Sequence, residues 1–229
     1  MGNSGRSTAK DYMQTQTVTT RVNSKKEPRE EYIWSRVWKE RLYDADKKRV
    51  MLIGDSIIEG YSFFVAEQLK QDYIVSRWTH SLAIDSKFVL PLMEFALLSD
   101  EKIKYDVIHF THGGHGKWTT DEDYEAALDK TIKRLVEICP ESKIIIATPT
   151  EYCLPMLECQ PVVDLEATEL LSRRGEIAKK IAAKYNLTVN DMMQVSKANR
   201  YLHSDDGVHF TDEGYEVLAK SVAAAIKNV

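Results

Sequence analysis

The chain has 229 residues, 43% of them hydrophobic, and a formal net charge of −4. That length suits one domain with a substantial core. The mild charge, with no long run of Lys or Arg, argues against a nucleic-acid surface, and no apolar stretch reaches the length of a membrane span. Cys139, Cys153 and Cys159 make an odd number without C-x-x-C spacing. Reduced thiols are therefore expected, not a disulfide framework or a zinc site. The first residues lack an apolar signal core, so the chain reads as cytoplasmic unless a signal segment precedes it.

Residues 1–28 are polar, aperiodic and rich in Ser, Thr, Asn and Lys, the composition of a disordered or tag-like arm. Residues 29–48 read as a helical extension, with Tyr32, Trp34, Val37, Trp38 and Leu42 roughly on one side. From residue 49 to residue 229 strands and helices alternate. Arg49–Ile53 is a short apolar strand followed by a helix at Tyr61–Lys70. Tyr73–Ser76 is a second strand, and Lys87–Leu98 a helix. Val107–Thr111 is a third, before a helix at Asp121–Ile138 capped by Thr120 or Asp121. Lys143–Thr148, with its run of isoleucines, is a fourth. A long helix at Leu165–Tyr185, a short strand at Leu187–Val189 and a last helix at Thr211–Asn228 complete the chain. Buried strands separated by helices predict a five-stranded parallel sheet covered on both faces. Right-handed crossovers then place every strand's C-terminal end on one edge, where ligands bind.

Two motifs fall at that edge. Gly54-Asp55-Ser56 follows the first strand, and Asp206-Gly207-Val208-His209-Phe210 precedes the last helix. A serine past a strand, a histidine and an aspartate three residues before it supply nucleophile, base and orienting acid for acyl transfer. Gly207 lets the loop turn tightly enough for Asp206 to face His209, with Asp205 as the alternative orienter. The backbone amide of Ser56, at a helix start, suits a developing oxyanion.

These segments, Ile53–Tyr61 and Asp205–Tyr215, resemble those of the SGNH hydrolases, also called the GDSL esterase family, and the likeness extends over residues 49–228. The resemblance implies a flavodoxin-like three-layer α/β/α sandwich. It implies Ser56 as nucleophile, His209 as general base and Asp206 as its orienter, with no cofactor. After the third strand most of the family has Gly-x-Asn-Asp, whereas this chain has Gly113-Gly114-His115-Gly116. His115 then falls where the family's Asn donates to the oxyanion, and a neutral imidazole can donate one N–H. The family's second-motif glycine is missing from Trp78–Ser86, so the backbone donor is expected within Ser81–Ala83, with Ser81 the named candidate. His109 and His112 lie on different faces of a strand-to-loop path with no carboxylate between them, so no metal is expected. His203 reads as a surface residue, and Glu59 as part of a solvated helix face.

Trp118, Tyr152 and Met156 fall on loops at the active edge, where aromatic rings can stack on a sugar. The resulting expectation is a serine esterase removing small acyl groups, acetyl above all, from a carbohydrate, with a small-molecule or carbohydrate ester as its partner. Two alternatives stay open. One is a lysophospholipase or thioesterase of the same class, and the other a catalytically weak binding protein on the same fold.

Overall fold

The computed structural model describes residues 30, 32–42, 44, 46–155 and 161–229. The arm assigned to 1–28, and Met156 and Cys159, lie outside them. Six strands form one sheet: β1 (Ser35–Trp38), β2 (Lys48–Gly54), β3 (Tyr73–His80), β4 (Val107–Thr111), β5 (Lys143–Ala147) and β6 (Thr188–Asn190). Their spatial order is β1-β3-β2-β4-β5-β6. The five strands β2 to β6 are mutually parallel, as expected, and β1 adds an antiparallel edge to β3. Six helices follow among the described residues: α1 (Ser56–Leu69), α2 (Val89–Leu98), α3 (Asp121–Ile138), α4 (Leu165–Lys184), α5 (Met192–Ala198) and α6 (Asp212–Lys227). None is long and apolar enough to cross a membrane.

The alternation of β2 decides which helix covers which face. Val50 and Leu52 point to one side, where Ile58, Tyr61 and Val65 of α1 meet Leu218 and Val222 of α6. Met51 and Ile53 point to the other, toward Met93 of α2, Leu128 and Ile132 of α3 and Ile181 of α4. Both faces of the central strands are thus buried, which is why β2, β4 and β5 read as continuous apolar runs. Each fully buried aliphatic side chain contributes roughly 1.5–3 kcal/mol. The layers form a flavodoxin-like α/β/α sandwich whose strand ends converge on one edge.

The helix expected over 29–48 is replaced by β1. Ser35 pairs with His80 and Trp38 with Arg77, and the Trp78 indole N–H donates to Ser35 Oγ at 2.9 Å. The physical reason is the outer edge of β3, whose backbone groups need partners that a helix cannot supply. Val37 still packs on the core, so the apolar residues are used, at period two. The incoming segment is then gathered by Arg49, whose guanidinium donates to the carbonyls of Glu40, Arg41, Leu42 and Asp44. Helix α5 is an element beyond those read from the sequence; Asp191 caps it by accepting from the Gln194 amide. Glu59 is not on a solvated face. It accepts from Thr79 Oγ1 and pairs with Arg77 Nε at 3.4 Å and Arg36 Nη1 at 3.6 Å, tying α1 to β3 and β1.

His80 at the end of β3, His109 in the middle of β4 and His112 just after it are all buried. Burial pulls His109 down to about 4 and His112 to about 3. His80 is also well below its ordinary value, through burial and then the neighbouring His112 and His115. In the unfolded chain these rings take up protons near pH 6.5, so the unfolded state binds more protons as pH drops below that value. Stability therefore falls from about pH 6.5 downward until the folded-state values are reached. Substituting His109→Gln, which keeps an acceptor for the Asn190 side-chain amide, is expected to flatten this acid limb. The difference in unfolding free energy between pH 7.5 and 5, read from urea titrations, should shrink by about 2 kcal/mol.

Candidate active site

The end of β2 delivers Ser56 to the first turn of α1. The N-cap of that helix is Asp55, whose Oδ1 accepts from the Ile57 amide at 3.0 Å. Ser56 is therefore released from capping, and its hydroxyl points at His209, with Oγ 2.8 Å from Nε2. The other ring nitrogen, Nδ1, lies 2.5 Å from Asp206 Oδ2. An ionised carboxylate only accepts, so Nδ1 carries the ring proton and Nε2 presents its lone pair to Ser56. Asp205 makes no such contact among the described residues.

The Asp206–His209 loop is built to hold this geometry. Asp206 Oδ1 accepts from the amides of His209 at 2.8 Å and Val208 at 2.9 Å, and from Ser204 Oγ at 2.9 Å. Partial burial works against its charge. The hydrogen bonds from His209, Val208 and Ser204 outweigh that and hold the carboxyl well below the usual carboxylate range. Gly207 sits at φ 73°, and a Cβ there would lie 2.2 Å from the Cys153 carbonyl oxygen. The Gly207 carbonyl in turn accepts from the Cys153 amide at 2.7 Å. Only glycine combines that dihedral with that approach.

His203 is buried, not on the surface. Its ring nitrogens meet the carbonyls of Arg200 at 2.9 Å and Glu151 at 3.0 Å, and its face lies 4.2 Å from the Phe210 ring. Arg200 clamps the Glu151 carboxylate through Nε at 2.6 Å and Nη2 at 2.9 Å. The histidine loop and the loop after β5 are thereby one unit. These anchors had no sequence signature, because an Arg and a Glu far apart in the chain look like ordinary surface charges.

The loop after β4 closes the site from the third side. Gly114 packs so tightly that a Cβ there would lie 2.4 Å from the Tyr152 hydroxyl and 3.3 Å from Asp55 Oδ2. His115 follows, its Nδ1 3.3 Å from Glu30 Oε1, and that same oxygen accepts from the Gly116 amide at 2.6 Å. Ser81 does not face the site as a free donor. Its amide donates to the Trp34 carbonyl at 3.1 Å and its hydroxyl to the Tyr32 carbonyl at 2.8 Å, both demanded by the pairing of the β1 segment with β3. The Leu82 amide donates to His80 Nδ1 at 3.2 Å. Within Ser81–Ala83, only the Ala83 amide lacks a partner among the described residues. Tyr152 is buried, with Lys117 Nζ 5.1 Å over its ring, so it forms a wall and offers no open stacking face. Its phenol is pushed upward, first by burial and then by the charges of Asp55, Glu30 and Asp206. Trp118, by contrast, is 38% exposed.

A doubly covered parallel sheet, with a serine at the end of its first parallel strand hydrogen-bonded to a histidine just before its last helix, defines a class of α/β hydrolytic scaffold. The GDSL-like lipase/acylhydrolase family matches residues 52–217, and the chain belongs to that family and is a hydrolase of the SGNH type. Among solved structures it is similar to Axe2, an acetylxylan esterase from Geobacillus stearothermophilus, at 17% identity and a TM-score of 0.63, over 78% of this chain and 94% of that one. The acetyl xylan esterase AlAXEase aligns at 21% identity and a TM-score of 0.59, over 78% and 99%. A lipase/acylhydrolase from Enterococcus faecalis aligns at 19% identity and a TM-score of 0.60, over 79% and 96%. At such identities the likeness is one of fold. No curated protein matches the sequence.

Gly207→Ala is expected to destabilise the protein by at least about 1 kcal/mol, the cost of a left-handed alanine, before its collision with the Cys153 carbonyl is counted. A lowered midpoint in urea unfolding, together with lower esterase activity per folded molecule, is the expected result.

Proposed function

We propose that this protein is a serine esterase in which Ser56, His209 and Asp206 act as nucleophile, general base and orienting acid. The observation that carries the reading is the unbroken hydrogen-bonded path from Asp206 through His209 to Ser56, at 2.5 and 2.8 Å. Ser56 Oγ attacks the ester carbonyl carbon as its proton passes to His209 Nε2. Asp206 stabilises the imidazolium that forms. His209 then returns the proton to the leaving alcohol oxygen, the C–O bond breaks, and an acyl-Ser56 ester remains. A water molecule, deprotonated by the same nitrogen, repeats the sequence and releases the carboxylic acid. The oxyanion is received by the Ser56 amide at the positive end of α1, with His115 as a further donor.

The substrate we favour is a small acyl ester, acetyl first, on a carbohydrate. Two structural neighbours are acetylxylan esterases by name, and the half-exposed Trp118 offers a face for a sugar ring. Hydrolysis of a chain-length series of p-nitrophenyl esters, beside acetylated xylo-oligosaccharides, tests this. A rate that rises with acyl length would favour a lysophospholipase or thioesterase instead.

Ser56→Ala is expected to lower kcat on p-nitrophenyl acetate by several orders of magnitude, His209→Ala by a similar factor and Asp206→Ala by less. The native protein should be labelled covalently by a fluorophosphonate and the Ser56→Ala protein should not. An alanine variant at Ser56 that keeps about a tenth of native kcat would refute the assignment, since loss of a nucleophile leaves far less.

His115→Ala is expected to lower kcat on the order of 10²–10³ with little change in KM, as loss of one oxyanion donor does. His115→Asn should recover part of that loss, because an amide N–H is then available at the same place. Normal turnover in His115→Ala, with an unchanged thermal midpoint, would remove His115 from the mechanism.

A further inference from the structure

We propose that Arg174 is a positioning residue for this reaction, holding the Gly113–Lys117 loop from behind so that its amides and the His115 ring are presented to negative charge at the active edge. The inference rests on the Ser56 mechanism proposed above.

Arg174 comes from the middle of α4 and is fully buried. Its Nη1 donates to the carbonyls of Gly113 at 2.7 Å and His115 at 2.8 Å, and its Nη2 to the carbonyl of Gly116 at 2.6 Å. The guanidinium also lies over the Tyr124 ring, 4.5 Å from its centroid, and the Tyr124 hydroxyl donates to the next carbonyl back, that of His112, at 2.8 Å. One fork therefore fixes three carbonyls of a four-residue stretch, and its stacking partner fixes a fourth.

Two features separate this from an ordinary packing contact. The first is charge. Arg174 forms no ion pair with any described carboxylate, and its Nε has no partner among the described residues. Asp121 and Asp85 act on it only from beyond ion-pair distance, and a buried charge held without a paired carboxylate is expensive, whereas a helix can be tied to a loop without one. Its field falls instead on the peptide groups of the loop.

The second is direction. The described chain has no cis peptide bond. In a trans peptide the N–H points opposite to the C=O. Carbonyls drawn to Arg174 at Gly113, His115 and Gly116 therefore turn the amides of Gly114, Gly116 and Lys117 to the far side. On that side the Gly116 amide meets an anion, the Glu30 carboxylate, whose Oε1 also lies 3.3 Å from the His115 ring. Gly114 lies against Asp55, the neighbour of Ser56. The loop thus has a cationic back and an anion-receiving front, and the front adjoins the nucleophile turn. Gly116, at φ 66°, has no side chain with which to hold this shape itself.

The test compares native protein, Arg174→Met and Arg174→Lys for kcat and KM on p-nitrophenyl acetate, the rate of fluorophosphonate labelling, and the thermal midpoint, with the folded fraction from circular dichroism. Arg174→Met should lower kcat and the labelling rate per folded molecule by about 10²-fold at nearly unchanged KM, comparable to loss of an oxyanion donor. Arg174→Lys keeps the charge and loses the fork, and should recover about tenfold of that loss. A folded Arg174→Met protein with native kcat, or one whose activity falls only in step with its folded fraction, would overturn the proposal. If Arg174→Met does not fold, Arg174→Lys decides: about tenfold lower kcat at an unchanged midpoint supports the role, and native kcat refutes it. Failure of the native protein to label would overturn the serine mechanism and this inference with it. Labelling of the native protein with full activity in the variants would overturn this inference alone.

Discussion

The packing of Tyr215 on Gly60 sets how closely two segments distant in sequence, those of Ser56 and His209, approach one another. A Cβ at Gly60 would lie 2.1 Å from the Tyr215 ring, so a side chain there would push α6 away from α1. With glycine in place the two helices pack side by side against the Val50–Leu52 face of the sheet. That contact allows Ser56 and His209, 153 residues apart, to share a hydrogen bond. The tolerance is narrow, because a hydrogen bond at 2.8 Å weakens within a few tenths of an ångström. Gly60 and Tyr215 thus belong to the same mechanical unit as the residues that meet at the edge.

Much of this was legible in the chain because the information is local. The apolar runs of β2, β4 and β5 announce buried strands, and Thr120 and Thr211 announce the starts of α3 and α6, where each accepts from a first-turn amide. Asp206 and His209 are three residues apart, so their contact is almost a property of the turn. Ser56 required the topology, and the topology followed from alternation of strands with helices.

What was not legible depends on partners distant in sequence. β1 reads as a helical stripe until the open edge of β3 is known to lie beside it. Ser81 looks like a free donor until that same pairing claims its amide and hydroxyl. His203 looks exposed in isolation, but its ring lies between the carbonyls of Glu151 and Arg200 in the interior, where its N–H finds an acceptor. Arg174, on an amphipathic helix rich in charge, gives no hint that it points inward. Tyr152 is the reverse case: its place in the loop just after β5 follows from the chain, but which way its ring faces does not.

The separation of duties between Asp55 and Ser56 bears on how such a scaffold can change over generations. Asp55 does the capping, so the side chain at position 56 is not needed as the helix's N-cap. Chemistry and folding are uncoupled at that point. On the serine mechanism proposed above, a lineage can lose turnover by one substitution at position 56 and retain the fold, with no pressure from instability to reverse the step. Hydrolase and non-hydrolytic ester binder are then neighbours in sequence space, and selection on ligand retention alone suffices to move between them.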